Sequence, residues 1–241
     1  MTMLDATTTV RDTVAGDYRA AAVFERHGID YCCGGNRTIE QAAAEAGVPA
    51  DRVLTALADL GDADASLPPR YASWDQAFLV GYILANHHAY VRAALPAILA
   101  HAQKVAGTHG ERHPEMIDVA RTFEGVVAEM TQHMMKEEQI LFPYVKSLAA
   151  QAASGCPVGP SPFGTVANPI RMMEAEHESA GAAMRRIREL TGGYRPPEDA
   201  CTTFKVTLAE LEEFERDLHQ HVHLENNILF PRALEMERAE D

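Results

Sequence analysis

Only four of the 241 residues are cysteine, and two of those are the neighbours Cys32 and Cys33. So few thiols exclude a disulfide scaffold, and adjacent cysteines could pair only through a strained ring, so reduced thiols are expected. Long hydrophobic runs are missing as well. Nowhere do eighteen apolar residues follow one another, so no membrane-spanning helix is expected. The polar, acidic opening MTMLDATTTVRD lacks the basic and then apolar order of a secretory signal, and a soluble, cytoplasmic protein is the expectation. Basic residues are in the minority, 21 Lys and Arg against 35 Asp and Glu, for a net charge of -14, which argues against a nucleic-acid surface. The length suits one helical bundle with a small attached domain, whose core needs no covalent staples.

Histidine is plentiful, eleven in all, and its arrangement repeats. The pattern H-x-x-x-E-x-x-I-L-F-P occurs from His133 to Pro143 and again from His221 to Pro231. On a helix a four-residue step passes one full turn by about 40°, so His133 sits beside Glu137 and His221 beside Glu225. The apolar pairs Ile140 and Leu141, and Ile228 and Leu229, fall in the same stripes, so the polar side chains are expected to face the core. The repeat has a first half too. His88 and His177 precede the two motifs at nearly equal distances, in HAYVRAAL and HESAGAAM. Each half is then a helix pair, one helix bringing a histidine and the next a histidine and a glutamate.

Buried imidazoles and carboxylates are costly unless something pairs with them, and a metal ion pairs with both. A satisfied core histidine beside a chance carboxylate would account for one copy of the motif, but not for two with the same downstream residues. Nitrogen and carboxylate donors without thiolate suit iron or manganese, and also zinc. A structural zinc needs four ligands and has no use for six in twofold arrangement. Two bridging glutamates and two histidines per ion give each metal four donors, leaving room for an oxo or hydroxo bridge and an open position, so two iron ions are expected. A ferritin-like arrangement requires Glu-x-x-His on two helices. Glu174 and His177 fit that spacing once, but Ala85 stands where the partner of His88 would be.

The element signals give an all-α fold. Three short helices are expected before Leu60: one through YRAAAVFERH capped by Asp17, one through IEQAAAEA opened by a Thr38 and Gln41 capping box, and one from Asp51. Between the first two, Tyr31 to Gly35 reads as an exposed turn. Its paired thiols suggest reactivity or metal ligation, or else cysteines filling space under a glycine turn. Gly61 to Ser73 reads as a linker, with the domain boundary at residues 1–66 and 67–241. Four long helices follow, from Trp74 to about Val105, from Pro114 to about Ala150, from Asn168 until Gly192-Gly193 stop it, and from about Asp199 to Glu237. A crossover with Cys156 lies between the second and third, and kinks are expected at Pro143 and Pro231.

DYCCGG at Asp30, HMMKEEQILFP at His133, MEAEHESAG around His177, DACTTFK at Asp199 and HLENNILFPRAL at His223 together resemble the repair-of-iron-centres family. These are hemerythrin-like di-iron four-helix bundles with a small N-terminal domain of the ScdA type. The resemblance implies His88, His133, His177 and His221 as metal-ligating histidines and Glu137 and Glu225 as bridging carboxylates. It implies Glu129, Glu176 and His109 as residues near the metals, and Cys32 and Cys33 as reactive thiols. The doubled His87-His88 departs from the family pattern. Register against the following Leu-Pro favours His88, with His87 about 100° away around the helix. The other histidines, His27, His101, His113, His219 and His223, are expected to be solvated or capping, and Phe142, Phe230 and Tyr144 to be core.

The function implied by the resemblance is repair of iron-sulfur clusters damaged by nitrosative or oxidative stress, by donation of iron. Damaged iron-sulfur proteins would be the partners of a monomer or homodimer. Two other readings compete: nitric oxide reduction at the di-iron site, which needs an electron donor, and a hemerythrin-like module that binds or senses oxygen or nitric oxide.

Overall fold

Helix formation dominates because the apolar residues recur every three to four positions along most of the chain, and among the described residues the β structure is a single bridge between Thr9 and Thr38. The computed structural model describes residues 5–61, 71–155, 161 and 163–238. Four short helices make the N-terminal part: α1 (Val10–Gly16), α2 (Ala20–Arg26), α3 (Ile39–Glu45) and α4 (Ala50–Ala58). α1 is one more than the sequence signals suggested; Thr9 caps it by accepting the Asp12 N–H. The Thr38 and Gln41 capping box forms with both reciprocal bonds. Asp17 does not cap α2 directly: it accepts the Arg19 N–H at 3.0 Å, and the helix starts after Arg19.

Four rods make the bundle. The first is α5 (Gln76–Tyr82), a π-helical turn at Ile83–His88, and α6 (Ala89–His109). The second is α7 (Glu115–Lys136), a π turn at Glu137–Leu141, and α8 (Phe142–Ser154). The third is α9 (Ala167–Leu190), and the fourth is α10 (Thr202–Leu224), a π turn at Glu225–Leu229, and α11 (Phe230–Arg238). α6 packs on α7 and α10, and α9 on the same two, which closes the ring. Just before Pro143 and Pro231, where kinks are expected, the chain makes the last two π turns. A proline offers no N–H to the carbonyl four residues back. The preceding Phe142 and Phe230 instead donate to the carbonyls of Glu137 and Glu225, five residues back.

The N-terminal helices share a core with the bundle. Val10, Phe24, Ile39 and Val53 belong to one cluster with Val91, Phe123, Met184 and Phe214. A second cluster, with Leu79, Phe142, Val145, Ile170 and Phe230, fills the end of the bundle beyond the π turns. The expected linker is correspondingly shorter than its composition suggests. Tyr71–Ser73 is a 3-10 turn in which buried Tyr71 meets Tyr18 and Trp74 edge to face, and Arg232 donates to the carbonyls of Ala72 and Trp74. Residues 62–70 of that linker, and Cys156 of the crossover, lie outside the described residues.

The two repeats are not covered alike. Ile228 is 3 % exposed, as its stripe predicts, whereas Ile140 is 50 % exposed, against expectation. The asymmetry comes from the N-terminal part: α1 lies against the π turn at Glu225–Leu229, where Ala15 joins the cluster that holds Ile228.

Candidate metal centre

The three π turns bring His88, Glu137 and Glu225 to one level of the bundle, where His133, His177 and His221 also arrive. All six side chains are at most 1 % exposed. They form two donor sets, His88, Glu137, His221 and Glu225, and His133, Glu137, His177 and Glu225, each with its donor atoms within 4.8 Å of one another. Both glutamates belong to both sets. Glu137 Oε2 lies 3.3 Å from His88 Nε2 and 3.3 Å from His133 Nε2. Glu225 Oε2 lies 3.1 Å from His177 Nε2, and its Oε1 3.0 Å from His221 Nε2.

The outer ring nitrogens are held as well. His88 Nδ1 donates to Glu138 at 2.8 Å, His133 Nδ1 to Glu176 at 2.9 Å, and His177 Nδ1 to Asn226 Oδ1 at 2.8 Å. Such bonds fix the tautomer that leaves Nε2 free for a cation, and a carboxylate acceptor also raises ligand basicity. Lys136 pairs with the far oxygen of Glu176. His221 differs: its Nδ1 has no hydrogen-bond partner among the described residues, and the ring of His87 stacks on it, 5.5 Å between centroids and 12° between planes. Phe142 packs against His88, and Phe230 lies parallel to His177, at corresponding places in the two repeats.

Electrostatics give the same six residues a common balance. Burial and their mutual repulsion push the carboxyls of Glu137 and Glu225 up, but the surrounding imidazoles outweigh this and hold both low. In return, burial disfavours a charge on His88 and His133, yet the two glutamates raise them to about 10 and about 9. The cluster thus favours positive charge beside its two carboxylates, and bound cations would supply that charge. Among the described residues His88 Nε2, both oxygens of Glu137 and Glu225 Oε2 find no hydrogen-bond partner despite complete burial. Nitrogen and oxygen donors left bare in this way fit a pair of borderline metal ions.

The remaining expected residues fall in several places. Glu176 touches the site through His133, while Glu129 is exposed one turn before it and accepts from Ser179 Oγ at 3.0 Å. His109 is not near the donor cluster. It closes α6, 21 residues long, roughly 30 Å along the helix from His88, with its Nε2 3.2 Å from Cys201 Sγ. His87 does not turn away: the π turn keeps it 3 % exposed, with Nδ1 2.9 Å from Asp217. His223 is not solvated either. It is fully buried against Tyr18 and Tyr31, and burial pushes its pKa down to about 3. Glu174 is exposed, which leaves the ferritin-like arrangement without its carboxylate. Glu138, Asn226 and Asp217 were missed. A signal for the first two existed, since each directly follows a repeated glutamate.

The thiol turn is not exposed as expected. Tyr31 and Cys32 are 2 % and 5 % exposed, and Cys33 is half-buried. Asn227 Nδ2 donates to the carbonyl of Tyr31 at 2.9 Å, and Gly35 permits this seat, because a Cβ there would lie 2.6 Å from Asn227 Oδ1. Asn226 Nδ2 reaches the Cys32 carbonyl at 3.5 Å while its Oδ1 holds His177. One amide therefore spans from the thiol turn to the donor cluster.

Comparison with known proteins agrees with this architecture. The family model described as hemerythrin HHE cation binding domain matches residues 80–233, and the ScdA_N model, a domain of unknown function (DUF542), matches residues 6–61. Proteins named iron-sulfur cluster repair protein YtfE, from Yersinia pestis strain Pestoides F and from Yersinia pestis bv. Antiqua strain Angola, are each 36 % identical to the chain over 219 residues. The protein of that name from Yersinia pseudotuberculosis serotype IB is equally similar. In all three the match covers 90 % of this chain and 91 % of the relative.

Proposed function

The chain belongs to the iron-sulfur cluster repair family of these relatives, built on a hemerythrin HHE cation-binding bundle, and from that premise we propose that it holds two irons and donates iron to damaged iron-sulfur proteins. In this reading His88 and His221 would hold one ion and His133 and His177 the other, with Glu137 and Glu225 shared between them. The observation that carries it is the pair of donor sets sharing both carboxylates inside a fully buried cluster.

When bound, the two irons supply transferable metal and a redox-active place for nitric oxide or oxygen. The chain does the rest. Glu138 and Glu176 keep two imidazoles oriented, Phe142 and Phe230 cover ring faces of His88 and His177, and four protein donors per ion would leave room for an incoming ligand. Four donors also hold a cation less completely than six would, which suits a protein that gives metal away. The N-terminal helices that carry Cys32 and Cys33 meet the client or a thiol partner, and reduced thiols suit work in the cytoplasm. The test is cluster recovery of an aconitase-type protein with the iron-loaded chain. Glu137→Ala, which removes a bridge, is expected to lose iron and recovery together. An iron-free variant repairing at the full rate would overturn the reading.

A further inference from the structure

The thiol turn carries a donor set of its own. Asp30, Cys32 and Cys33 place one carboxylate oxygen and two sulfurs within 4.8 Å of one another. The two sulfurs are 3.8 Å apart and the Cys32 sulfur is 3.2 Å from Asp30 Oδ1. A tetrahedral cation with metal-sulfur bonds of about 2.3 Å and a metal-oxygen bond of about 2.0 Å needs its sulfurs about 3.8 Å apart and sulfur to oxygen about 3.5 Å. The two separations made by the Cys32 sulfur thus stand close to those of a bound ion, and the third, from the Cys33 sulfur to the carboxylate, is within 4.8 Å.

The turn is also built to stay in place. Asp30 Oδ1 accepts the backbone N–H groups of Cys32 and Cys33, both at 3.0 Å, so the carboxylate cannot swing away from the sulfurs. Asn227 anchors the preceding carbonyls to the bundle. A cavity of about 270 Å3 opens beside the turn, and Asp30, Cys32, Arg185, Arg216 and His219 are among its lining residues.

We propose that Asp30, Cys32 and Cys33 form a second, mononuclear site for a thiophilic divalent cation such as Fe2+ or Zn2+, reached through this cavity. Binding releases the two thiol protons to solvent. Two thiolates and a carboxylate around a doubly charged ion leave one net negative charge, and the Arg185 guanidinium, 3.4 Å from Asp30 Oδ2, faces it. Three protein donors leave a fourth tetrahedral position, the arrangement of a site that exchanges its cation. With the Cys32 carbonyl joined through Asn226 to His177, the site lies between the donor cluster and the cavity. A place for iron in passage to a client follows, and that last step alone rests on the repair reading.

The test uses the full chain with its dinuclear centre first filled with iron, titrated with Co2+ as the probe. One further equivalent per chain is expected, with sulfur-to-cobalt charge-transfer absorption that a cluster of histidine and glutamate cannot give. Cys32→Ser and Cys33→Ser should each abolish the absorption. Asp30→Asn, which keeps an oxygen for the backbone N–H groups, should weaken binding at least tenfold while leaving helical content and iron unchanged. Absence of the absorption in the unaltered chain, or its persistence in both serine variants, would overturn the site. Cobalt binding with normal stoichiometry but no effect of the serine variants on cluster recovery would keep the site and remove only its role in passage.

Discussion

The imidazole at position 223 is kept neutral by its neighbours. Asn227 Nδ2 lies 3.0 Å from His223 Nδ1, so that nitrogen must accept, and a proton there would set donor against donor. Burial brings its pKa from the usual 6.5 to about 3. The sign of the consequence is fixed: below pH 6.5 the unfolded chain binds a proton that the folded chain refuses. Stability from this residue is complete above pH 6.5 and is lost as pH falls toward 3. Between pH 7 and pH 5 the loss should be about 2 kcal/mol. His223→Asn keeps an acceptor and does not titrate, so urea unfolding at the two pH values should show the unaltered chain losing about that much more than the variant. Equal losses would place the protonation elsewhere. The ligands order themselves by the same local reasoning. Glu137→Ala and Glu225→Ala each remove a donor common to both sets and should cut bound iron sharply, while His109→Ala, beside Cys201, should leave it unchanged. Iron loss of similar size in all three would disprove the assignment.

At the level of helices, the repeat made the donor cluster readable. Spacing alone put a histidine over a glutamate twice, and the same spacing put each pair on a stripe with apolar neighbours. The π turns were not readable, because a hydrogen bond shifted from the fourth to the fifth residue back leaves the order of apolar residues almost unchanged. Pro143 and Pro231 hinted at two of them, but Ile83–His88 contains no proline, and there the surprise is largest: His87 and His88 are both buried. His109 misled for a different reason. A family resemblance transfers a residue's label without its depth along the helix. Cover by another element is equally invisible in a repeat, which is why Ile140 and Ile228 share a motif but not an environment. Ile228→Ala should cost about 2–5 kcal/mol of unfolding free energy and Ile140→Ala less than about 0.5 kcal/mol. Chemical denaturation of the two variants checks this, and equal costs would mean that Ile140 is covered in solution, for instance by a second copy.

Across the whole molecule, composition suggested two parts joined by a linker, yet one cluster of buried side chains runs from Val10 and Phe24 into Phe123 and Phe214. Composition reports where a chain turns polar, and says nothing of whether the parts on either side bury surface against each other. Because the core is continuous, the full chain should unfold in one urea transition, with helical signal and tertiary signal coincident. A chain beginning at Trp74 keeps all six donors but uncovers Tyr71-facing Tyr82, His223, Asn227 and Ile228, and loses the anchor on Asn226. It should therefore unfold at a lower urea concentration and hold iron less firmly than the full chain. The Cys32→Ser, Cys33→Ser double variant keeps that cover, so it should match the unaltered chain in urea midpoint and in iron content while losing most cluster recovery. The pair of measurements separates support from chemistry. Two distinct transitions in the full chain, the first abolished by the truncation, would show instead that the N-terminal helices fold as an independent unit and that their contacts with the donor cluster contribute little.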